Sequence, residues 1–329
     1  MTPDVLQEAV DAAVSAGESA RGTTSPNPPV GCALVDDHGT VLTTGATSPA
    51  GGPHAEINAL QRAGDRAKGA TAVVTLEPCN HTGRTGPCSQ ALVRAGIARV
   101  IYLTADPFKP AAGGADYLRD HGVEVDYYPT RVAALQPWLR SVAHERPSVT
   151  LKFASTLDGF TAAVDGTSQW ITGADARAFV HEDRARRDAI VVGTGTAIAD
   201  NPSLTARRSD GSLRASQPRR VVVGKRDVPE GNLTRLGFEQ YATPEQALAA
   251  LWDAGARDVL IEGGATLAAS FLELGVVDAV QAYVAPALLG QGRGVLDRAI
   301  ASTIAEAKRF HTTSVRQIGE DVLIEMEKN

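Results

Sequence analysis

The sequence predicts two consecutive α/β domains, and three observations support this fold class. The chain has 329 residues, more than one ordinary domain needs. Apolar runs typical of buried strands alternate with stretches of helical apolar spacing, which is the pattern of layered α/β structure. Pro129, Pro137 and Pro147 interrupt that pattern, so we predict domains at 1–147 and 148–329.

The first half alternates helices and strands between turns rich in Gly and Pro, which favours a mostly parallel central sheet. Residues 4–20 begin it with a helical rhythm of apolar side chains. The predicted helices are 4–20, 54–64, 88–95 and 113–121, and the predicted strands are 30–36, 72–77, 99–104 and 123–128.

The second half restarts the same alternation after the proline-rich stretch and predicts a second α/β domain. Its predicted helices are 174–187, 244–254 and 265–274. Its predicted strands are 149–156, 160–164, 189–195, 219–224, 258–264, 280–289 and 321–327.

Composition and charge disfavour several classes of protein. The net charge of −6 and the aromatic content of 5% are unlike those of a nucleic-acid binder. The three cysteines do not form a disulfide framework, which favours a reducing cytoplasm and free thiols. Since neither a signal peptide nor a long apolar run is present, we expect no membrane association.

Three short segments predict a catalytic zinc site: PHAE (53–56), EPC (77–79) and GPC (86–88). Zinc prefers thiolate and imidazole ligands, and a catalytic site uses three of them and leaves a fourth position open. We therefore predict His54, Cys79 and Cys88 as the metal ligands. Zinc lowers the pKa of a bound water toward ~7, and Glu56, two residues after His54, is the predicted catalytic residue that moves its protons.

The order H-x-E followed by P-C and a second Cys is the signature of zinc deaminases that act on nucleobases. The usual second element is P-C-x-x-C, whereas eight residues separate Cys79 and Cys88 here. A closed structural zinc site is the alternative, and His81 is the candidate for its fourth ligand. We interpret Cys32, inside an apolar strand, as a core residue.

Glycines in the second half point only weakly to a nucleotide site. Gly263 and Gly264 follow a predicted strand and open a helix, where backbone N–H groups can approach a phosphate. GTGTAIAD (193–200) is a similar strand end. Neither matches G-x-G-x-x-G, and from the residues alone a tight strand-to-helix turn is the preferred interpretation.

Long motifs in both halves resemble one family, the bifunctional deaminase-reductases of riboflavin biosynthesis. In the first half these are TSPNPPVGC (24–32), GGPHAE (51–56) and TLEPCNHTGRTGPC (75–88). In the second half they are LKFASTLDG (151–159), SQWIT (168–172), GTGTAIADNPSLTAR (193–207) and IEGGATL (261–267). The insert between the two cysteines is normal in that family.

The resemblance implies a cytidine-deaminase-like α/β/α domain followed by a dihydrofolate-reductase-like domain. The first reaction would remove the 2-amino group of a diaminopyrimidinone that carries ribosylamino 5′-phosphate. The second would use NADPH to reduce the ribosyl group to a ribityl chain. The implied cofactors are Zn²⁺ and NADPH, the substrate is a small phosphorylated pyrimidine, and a homo-oligomer, dimer or tetramer, is expected.

The resemblance also implies contact residues. NADPH would contact Ala154, Trp170, Thr196, Asp200, Gly264, Ala265, Thr266 and Leu267. The substrate would contact Asn27, Ser168, Arg184, Leu204, Arg207 and Glu262. Lys225 and Arg226 follow the predicted strand 219–224, where the adenosine 2′-phosphate lies in this fold, and their charge would favour NADPH over NADH.

Three positions depart from the family pattern. Thr47 stands where many members have His, Phe108 where DPNP has Asn, and Gly86 where TPPC has Pro. The departures concern substrate affinity and spare the predicted metal ligands and Glu56.

Two other functions remain open from the residues alone. A zinc deaminase of a polynucleotide or another nucleobase, with a non-catalytic second domain, would need a basic groove and base-stacking aromatics. A zinc-stabilised scaffold would need a fourth protein ligand and would unfold on chelation.

Overall fold

The computed structural model describes residues 1–81, 86–108 and 111–328. The chain divides into two compact units, Met1–His144 and Glu145–Asn329. The division falls after His144, whereas the sequence places the boundary after residue 147.

Unit 1 is a five-stranded sheet with helices. The helices are α1 (Pro3–Ala20), α2 (Ala55–Ala63), α3 (Cys88–Arg94), α4 (Gly114–Asp120) and α5 (Gln136–His144). The strands are β1 (Gly31–Val35), β2 (Val41–Ala46), β3 (Thr71–Val74), β4 (Arg99–Tyr102) and β5 (Glu124–Tyr127), in the order β2-β1-β3-β4-β5.

Sheet direction brings several loops of unit 1 to one edge. β3, β4 and β5 are parallel, as the alternating pattern predicts, but β1 is antiparallel to both β2 and β3. The segment before β1 therefore meets the segments that follow β2, β3 and β4. β2 was missed from sequence because its partly exposed VLTTGA has no continuous apolar run.

Two glycines allow helices to lie almost directly on this sheet. A Cβ at Gly31 would come within 1.9 Å of the Ala13 carbonyl oxygen of α1. A Cβ at Gly45 would come within 2.2 Å of the Ala55 carbonyl oxygen of α2. The backbone itself is the contact surface at both places, so the depth at which α2 is seated depends on Gly45 having no side chain.

Unit 2 is built on an eight-stranded sheet. Its helices are α6 (Ala174–Arg184), α7 (Thr194–Asp200), α8 (Asn232–Leu236), α9 (Pro244–Asp253) and α10 (Ala265–Glu273). Its strands are β6 (Ser148–Thr156), β7 (Phe160–Ala162), β8 (Ala189–Gly193), β9 (Arg219–Val223), β10 (Glu239–Tyr241), β11 (Asp258–Ile261), β12 (Ala279–Ala285), β13 (Arg293–Gly294), β14 (His311–Ile318) and β15 (Asp321–Glu327).

The large sheet has the order β10-β9-β8-β11-β6-β12-β15-β14. The six strands from β10 to β12 are parallel, and β15 and β14 continue the sheet antiparallel. β14 was missed from sequence because it is mostly exposed and follows no apolar pattern. β12 ends at Ala285, four residues earlier than the apolar run to residue 289 predicts.

A buried charge network lies at the amino-terminal end of the parallel strands in unit 2. The guanidinium of Arg187 donates to both carboxylate oxygens of Asp183, to Asp258 Oδ1 at 2.7 Å and to Thr150 Oγ1 at 2.9 Å. All four residues are buried, so the network satisfies charges that would otherwise be costly to remove from water.

Within the ranges described above, no helix has the length and apolar character needed to cross a membrane.

We expect Gly45→Ala to destabilise unit 1 by about 1–3 kcal/mol, the range for forcing atoms into a packed interior, because α2 must move away from β2. Calorimetric unfolding of the purified chain measures the change. Gly86→Ala is the matched control, because a Cβ at Gly86 meets nothing within 4 Å. If the Gly45→Ala variant is as stable as the control, α2 tolerates the shift.

Candidate active sites

His54, Cys79 and Cys88 come together in unit 1 as the sequence predicts. His54 directly precedes α2, Cys79 follows β3 through a short loop, and Cys88 is the first residue of α3. His54 Nδ1 lies 3.6 Å from Cys79 Sγ and 3.4 Å from Cys88 Sγ. All three donor atoms lie within 4.8 Å of one another.

This donor set fits a zinc ion. Bonds of ~2.0 Å to nitrogen and ~2.3 Å to sulfur place the ligand atoms of a tetrahedral site about 3.5 Å apart. The separations of 3.4 and 3.6 Å from the imidazole nitrogen to the sulfurs match that spacing. His54, Cys79 and Cys88 are the residues that would hold the ion.

His81 does not join the group. Among the described residues, the donors close enough to share a metal are His54, Cys79 and Cys88 alone. The buried Nδ1 of His81 has no hydrogen-bond partner in the described part of the chain. Three protein donors with an open fourth position are the arrangement of a catalytic zinc site, and this disfavours the closed structural site.

The thiols of Cys79 and Cys88 have pKa values shifted in opposite directions. A hydrogen bond from Cys88 is the main reason that the pKa of Cys79 is lowered to about 4. That same hydrogen bond, followed by burial, raises the pKa of Cys88 well above its usual value. Cys79 is thus prepared as a thiolate ligand, and metal binding would displace the remaining proton.

Glu56 is buried beside the three donors, in the first turn of α2, with 3% of its surface exposed. Burial, followed by the charge of Cys79, raises the pKa of its carboxyl to about 7. A carboxyl that changes protonation near neutrality can both accept and donate a proton. Cys32 is fully buried in β1, as predicted for a core residue.

The loop that contains Asn27 lies at the same edge of the sheet, just before β1. Its ends are fixed: Asn27 N donates to Thr24 O at 2.9 Å, and Trp138 Nε1 donates to Pro26 O at 3.1 Å. Thr47, the first of the three departures from the family pattern, is buried and accepts a hydrogen bond from Val30 N through Oγ1 at 3.1 Å. Thr47 therefore binds the protein backbone.

The other two departures lie on the surface of unit 1. Phe108 is 45% exposed, and its backbone N–H donates to Asp106 Oδ1. Gly86 is exposed just before α3, and residues 82–85 of the insert lie outside the described residues. Neither Phe108 nor Gly86 is a metal donor.

In unit 2, most of the predicted contact residues lie at the carboxyl ends of neighbouring parallel strands. Ala154 is near the end of β6, Thr196 follows β8, Lys225 follows β9, and Glu262 and Gly264 follow β11. These four strands are adjacent in the order β9-β8-β11-β6. Ligands of open α/β sheets bind at this edge. Gly264 N donates to Thr196 Oγ1 at 2.8 Å, which joins the turns after β8 and β11.

The remaining residues predicted to contact NADPH flank that edge. Asp200 ends α7, Ala265 begins α10, Thr266 Oγ1 donates to Asp297, and Leu267 is buried.

Ser168 and Trp170 are not at a strand end. Both are exposed in the loop between β7 and α6, and the guanidinium of Arg177 covers the Trp170 ring at 4.5 Å from its centroid. The cation–π contact gives the exposed ring a fixed support.

Arg184 and Glu262 form an ion pair with each other. Arg184 Nε and Nη2 donate to the two carboxylate oxygens of Glu262, both at 2.6 Å, and Nη1 donates to Thr205 O at 3.1 Å. Burial raises the pKa of Glu262, but the charge of Arg184 outweighs it and brings that pKa to about 2. From sequence we predicted both side chains as substrate contacts, and the structure adds that they are bonded to each other.

Leu204 and Arg207 flank this pair on the next loop. Leu204 is buried with a backbone φ of 47°, and Arg207 Nε donates to Thr205 Oγ1 at 2.9 Å. His181 Nδ1 also contacts Thr205 O.

We predicted no role for Lys152 from sequence. It lies on β6, and Glu262 and Arg184 both act on its charge. Its ammonium lies 5.5 Å from the centroid of the Tyr283 ring, and burial lowers its pKa. Alternation along VTLKFAST could have indicated that Lys152 shares a face with Ala154, because residues i and i+2 of a strand point the same way.

Two cations follow β9. Lys225 and Arg226 are exposed, and Arg226 Nη2 lies 3.2 Å from the position of a Cβ on Gly195, in the first turn of α7. Gln240 Nε2 donates to the carbonyl oxygens of Gly224 and Arg226, which fixes the turn that presents both cations.

Comparisons with known proteins match a different family domain in each unit. Residues 3–104 match the cytidine and deoxycytidylate deaminase zinc-binding region, and residues 147–324 match the RibD C-terminal domain. The chain is 56% identical to the riboflavin biosynthesis protein RibD of Corynebacterium ammoniagenes, over 92% of each chain. It is 46% identical to RibD of Mycobacterium tuberculosis, over 98% of this chain and 97% of the other.

Solved structures show the same fold. A deaminase/reductase from Thermotoga maritima superposes with a TM-score of 0.88 at 30% identity and covers 99% of both chains. Acinetobacter baumannii RibD superposes with a TM-score of 0.87 at 35% identity, again over 99% of both chains.

Fold and site together define a two-domain enzyme: a cytidine-deaminase-like zinc domain followed by a dihydrofolate-reductase-like domain that uses NADPH. The chain belongs to the RibD family of riboflavin biosynthesis proteins. It is a bifunctional deaminase and reductase, and its cofactors are Zn²⁺ and NADPH.

We expect Glu262→Gln to destabilise unit 2 by about 3 kcal/mol at neutral pH, at about 1.4 kcal/mol for each unit of pKa shift. The folded-state pKa of Glu262 lies below its ordinary value of 4.5, so its contribution is complete above pH 4.5 and is lost as pH falls toward 2. Chemical denaturation of both proteins between pH 7 and 3 measures the difference. A difference that is independent of pH would contradict this assignment.

Proposed function

We propose that the chain converts 2,5-diamino-6-ribosylamino-4(3H)-pyrimidinone 5′-phosphate in two steps. Unit 1 hydrolyses the 2-amino group, and unit 2 then reduces the ribosyl group to ribityl with NADPH. The observation that carries the proposal is the group of three metal donors with buried Glu56 beside it. In unit 2 of the same chain, the predicted contact residues lie at the carboxyl ends of parallel strands. A relative with this fold is named as a deaminase and reductase of such phosphoribosylaminopyrimidines.

In the deamination step, His54, Cys79 and Cys88 would hold the zinc ion, which when bound would make hydroxide available at neutral pH. Glu56 accepts a proton from the attacking water and delivers it to the ring nitrogen. It then accepts a second proton, from the new hydroxyl on the ring carbon, and delivers it to the amino group, which leaves as ammonia while the carbonyl forms. A pKa of about 7 suits both transfers. Asn27, in its fixed loop at the same edge, orients the pyrimidine by hydrogen bonding.

In the reduction step, NADPH bound to unit 2 would supply the hydride. We assign NADPH to the carboxyl ends of the strands, where it would contact Ala154, Thr196, Asp200 and the turn Gly264–Leu267. Trp170 would lie at one side of the cofactor. Because Thr196 already joins this turn to α7, the backbone that faces the cofactor is held in one conformation.

The substrate of unit 2 would lie beside the Arg184–Glu262 pair. Glu262 is kept ionised by Arg184 and can accept hydrogen bonds from ribose hydroxyls, while the remaining donors of Arg184 and those of Arg207 face the phosphate. Ser168 and Leu204 complete the contact set. A bidentate pair holds both of its side chains in place before the substrate arrives.

A polynucleotide substrate is the alternative, and membership in a biosynthetic family disfavours it. The net charge of −6 also provides little attraction for a nucleic acid. By the same family resemblance we propose a cytoplasmic location and a homo-oligomeric state, either a dimer or a tetramer.

The two steps can be separated with one variant. The wild-type chain with zinc should deaminate the substrate without NADPH, and NADPH should then produce the ribityl compound, both followed by mass spectrometry. Glu56→Gln should slow deamination at least about 100-fold, the lower range for a general acid–base residue, because an amide does not exchange the proton. It should reduce an already deaminated substrate at the wild-type rate.

Glu56→Gln also serves as its own control for zinc content, since the three ligands are unchanged. Deamination by wild type without any reduction would restrict the proposal to unit 1. No conversion by the zinc-loaded wild type would overturn the substrate assignment.

Cofactor selectivity tests Lys225 and Arg226. Replacing both by Ala should raise KM for NADPH about tenfold, the effect of losing a hydrogen bond to a charged group, and leave KM for NADH unchanged. Lys308→Ala is the control, since this exposed cation follows the short turn Ile304–Glu306, far along the chain from β9. Equal changes in KM for both cofactors would show that the two cations do not bind the 2′-phosphate.

A further inference from the structure

Asn58 connects three segments around the first metal ligand. It lies in α2, one helical turn after His54, and its backbone N–H donates to His54 O at 3.0 Å. Its side-chain Nδ2 donates to Ala46 O at 2.7 Å, to Ser48 Oγ at 3.0 Å and to Pro53 O at 3.4 Å. The end of β2, the following loop and the residue before His54 are thus tied to one amide.

The orientation of that amide is set by its neighbours. Two of the three atoms facing Nδ2 are carbonyl oxygens, which only accept hydrogen bonds, so the nitrogen and not the oxygen must point at them. The loop between Ala46 and His54 contains Gly51, Gly52 and two prolines, and it has little regular structure of its own. Asn58 supplies the contacts that determine where this loop delivers the imidazole.

A second side-chain contact joins the two cysteine segments. Ser89 Oγ donates to Asn80 Oδ1 at 2.9 Å, between the residue after Cys79 and the residue after Cys88. Ser89 N also donates to Cys79 O, and Asn80 N donates to Ala111 O. Ser89 is completely buried, so its hydroxyl is held in this contact without competition from water.

These contacts reduce the entropic cost of bringing the two cysteines together, because a long segment separates them in sequence. Eight residues separate Cys79 from Cys88, whereas two separate them in P-C-x-x-C. A longer loop costs more entropy to close, and the cost falls on metal binding unless the protein closes the loop beforehand. The Asn80–Ser89 hydrogen bond closes it next to both sulfurs.

We propose that Asn58 and the Asn80–Ser89 pair are positioning residues that preorganise the three zinc ligands, without touching metal or substrate. The inference rests on the proposed assignment of His54, Cys79 and Cys88 as the ligands. Side chains that orient metal ligands by hydrogen bonding, without contacting the metal, generally affect metal affinity in this way. Their loss weakens zinc binding itself, before any effect on the chemical step.

The test is zinc affinity of the metal-stripped full-length chain, titrated in competition with a chromophoric chelator. Asn58→Asp keeps the shape of the side chain but turns a carboxylate toward two carbonyl oxygens, and affinity should fall about 10- to 100-fold. Ser89→Ala removes one neutral hydrogen bond, and affinity should fall about three- to tenfold. Asn58→Ala provides a second variant if the aspartate prevents folding.

Two control variants separate this effect from a general loss of stability. Gln136→Glu makes the same amide-to-acid change in α5, where Nε2 donates to Val132 O. Ser141→Ala removes a buried hydroxyl that donates to Trp138 O within the same helix. Both should bind zinc within twofold of wild type.

Unchanged zinc affinity in the Asn58 and Ser89 variants, or an equal loss in the controls, overturns the proposal. If the wild-type chain itself binds no zinc, the ligand assignment fails, and the positioning role fails with it. Wild-type binding with unaffected variants overturns the positioning role alone.

Discussion

Three donor atoms from two distant stretches of chain lie within 4.8 Å of one another, and unit 1 is organised around that requirement. β1 runs antiparallel to β2 and β3, so the loops that contain Asn27, His54 and Cys79 all reach one edge of the sheet. Gly45 lets α2 approach the sheet closely enough to bury Glu56 beside the donors. A buried carboxyl is costly in an apolar interior, and here it is placed where its proton can be used.

Unit 2 is also built on a sheet that contains parallel strands, but its predicted contact residues include an ion pair instead of a group of metal donors. Its proposed site lies at the carboxyl ends of parallel strands, next to the Arg184–Glu262 ion pair. One helix joins that pair to the structural core: Arg184 is the last residue of α6, and its neighbour Asp183 belongs to the buried Arg187 network. The last turn of α6 therefore contributes Arg184 to the proposed site and Asp183 to the buried network at the amino-terminal ends of the strands.

Each unit contains a buried carboxyl, and the pKa values of the two carboxyls are shifted in opposite directions. In unit 1 burial is the largest influence on Glu56 and raises its pKa to about 7, where the proton is exchangeable. In unit 2 a bidentate guanidinium overrides burial and keeps Glu262 ionised. Desolvation acts on both carboxyls in the same direction, and the neighbouring charges decide the outcome.

The sequence by itself determined the two-domain α/β class, and it predicted His54, Cys79, Cys88 and Glu56 as site residues, because strand–helix alternation and the residue types that bind metals are local properties of a chain. The motifs also identified the family, which comparisons with RibD proteins confirm. Only the tertiary structure decided that Arg184 and Glu262 pair with each other, that Lys152 lies beside them, and that Gly45 must remain without a side chain. The exposed strands β2 and β14 likewise became visible only through their pairing, since half-exposed edge strands have no apolar period of their own. Each of these features depends on residues far apart in sequence, whose distances are fixed by packing and strand register.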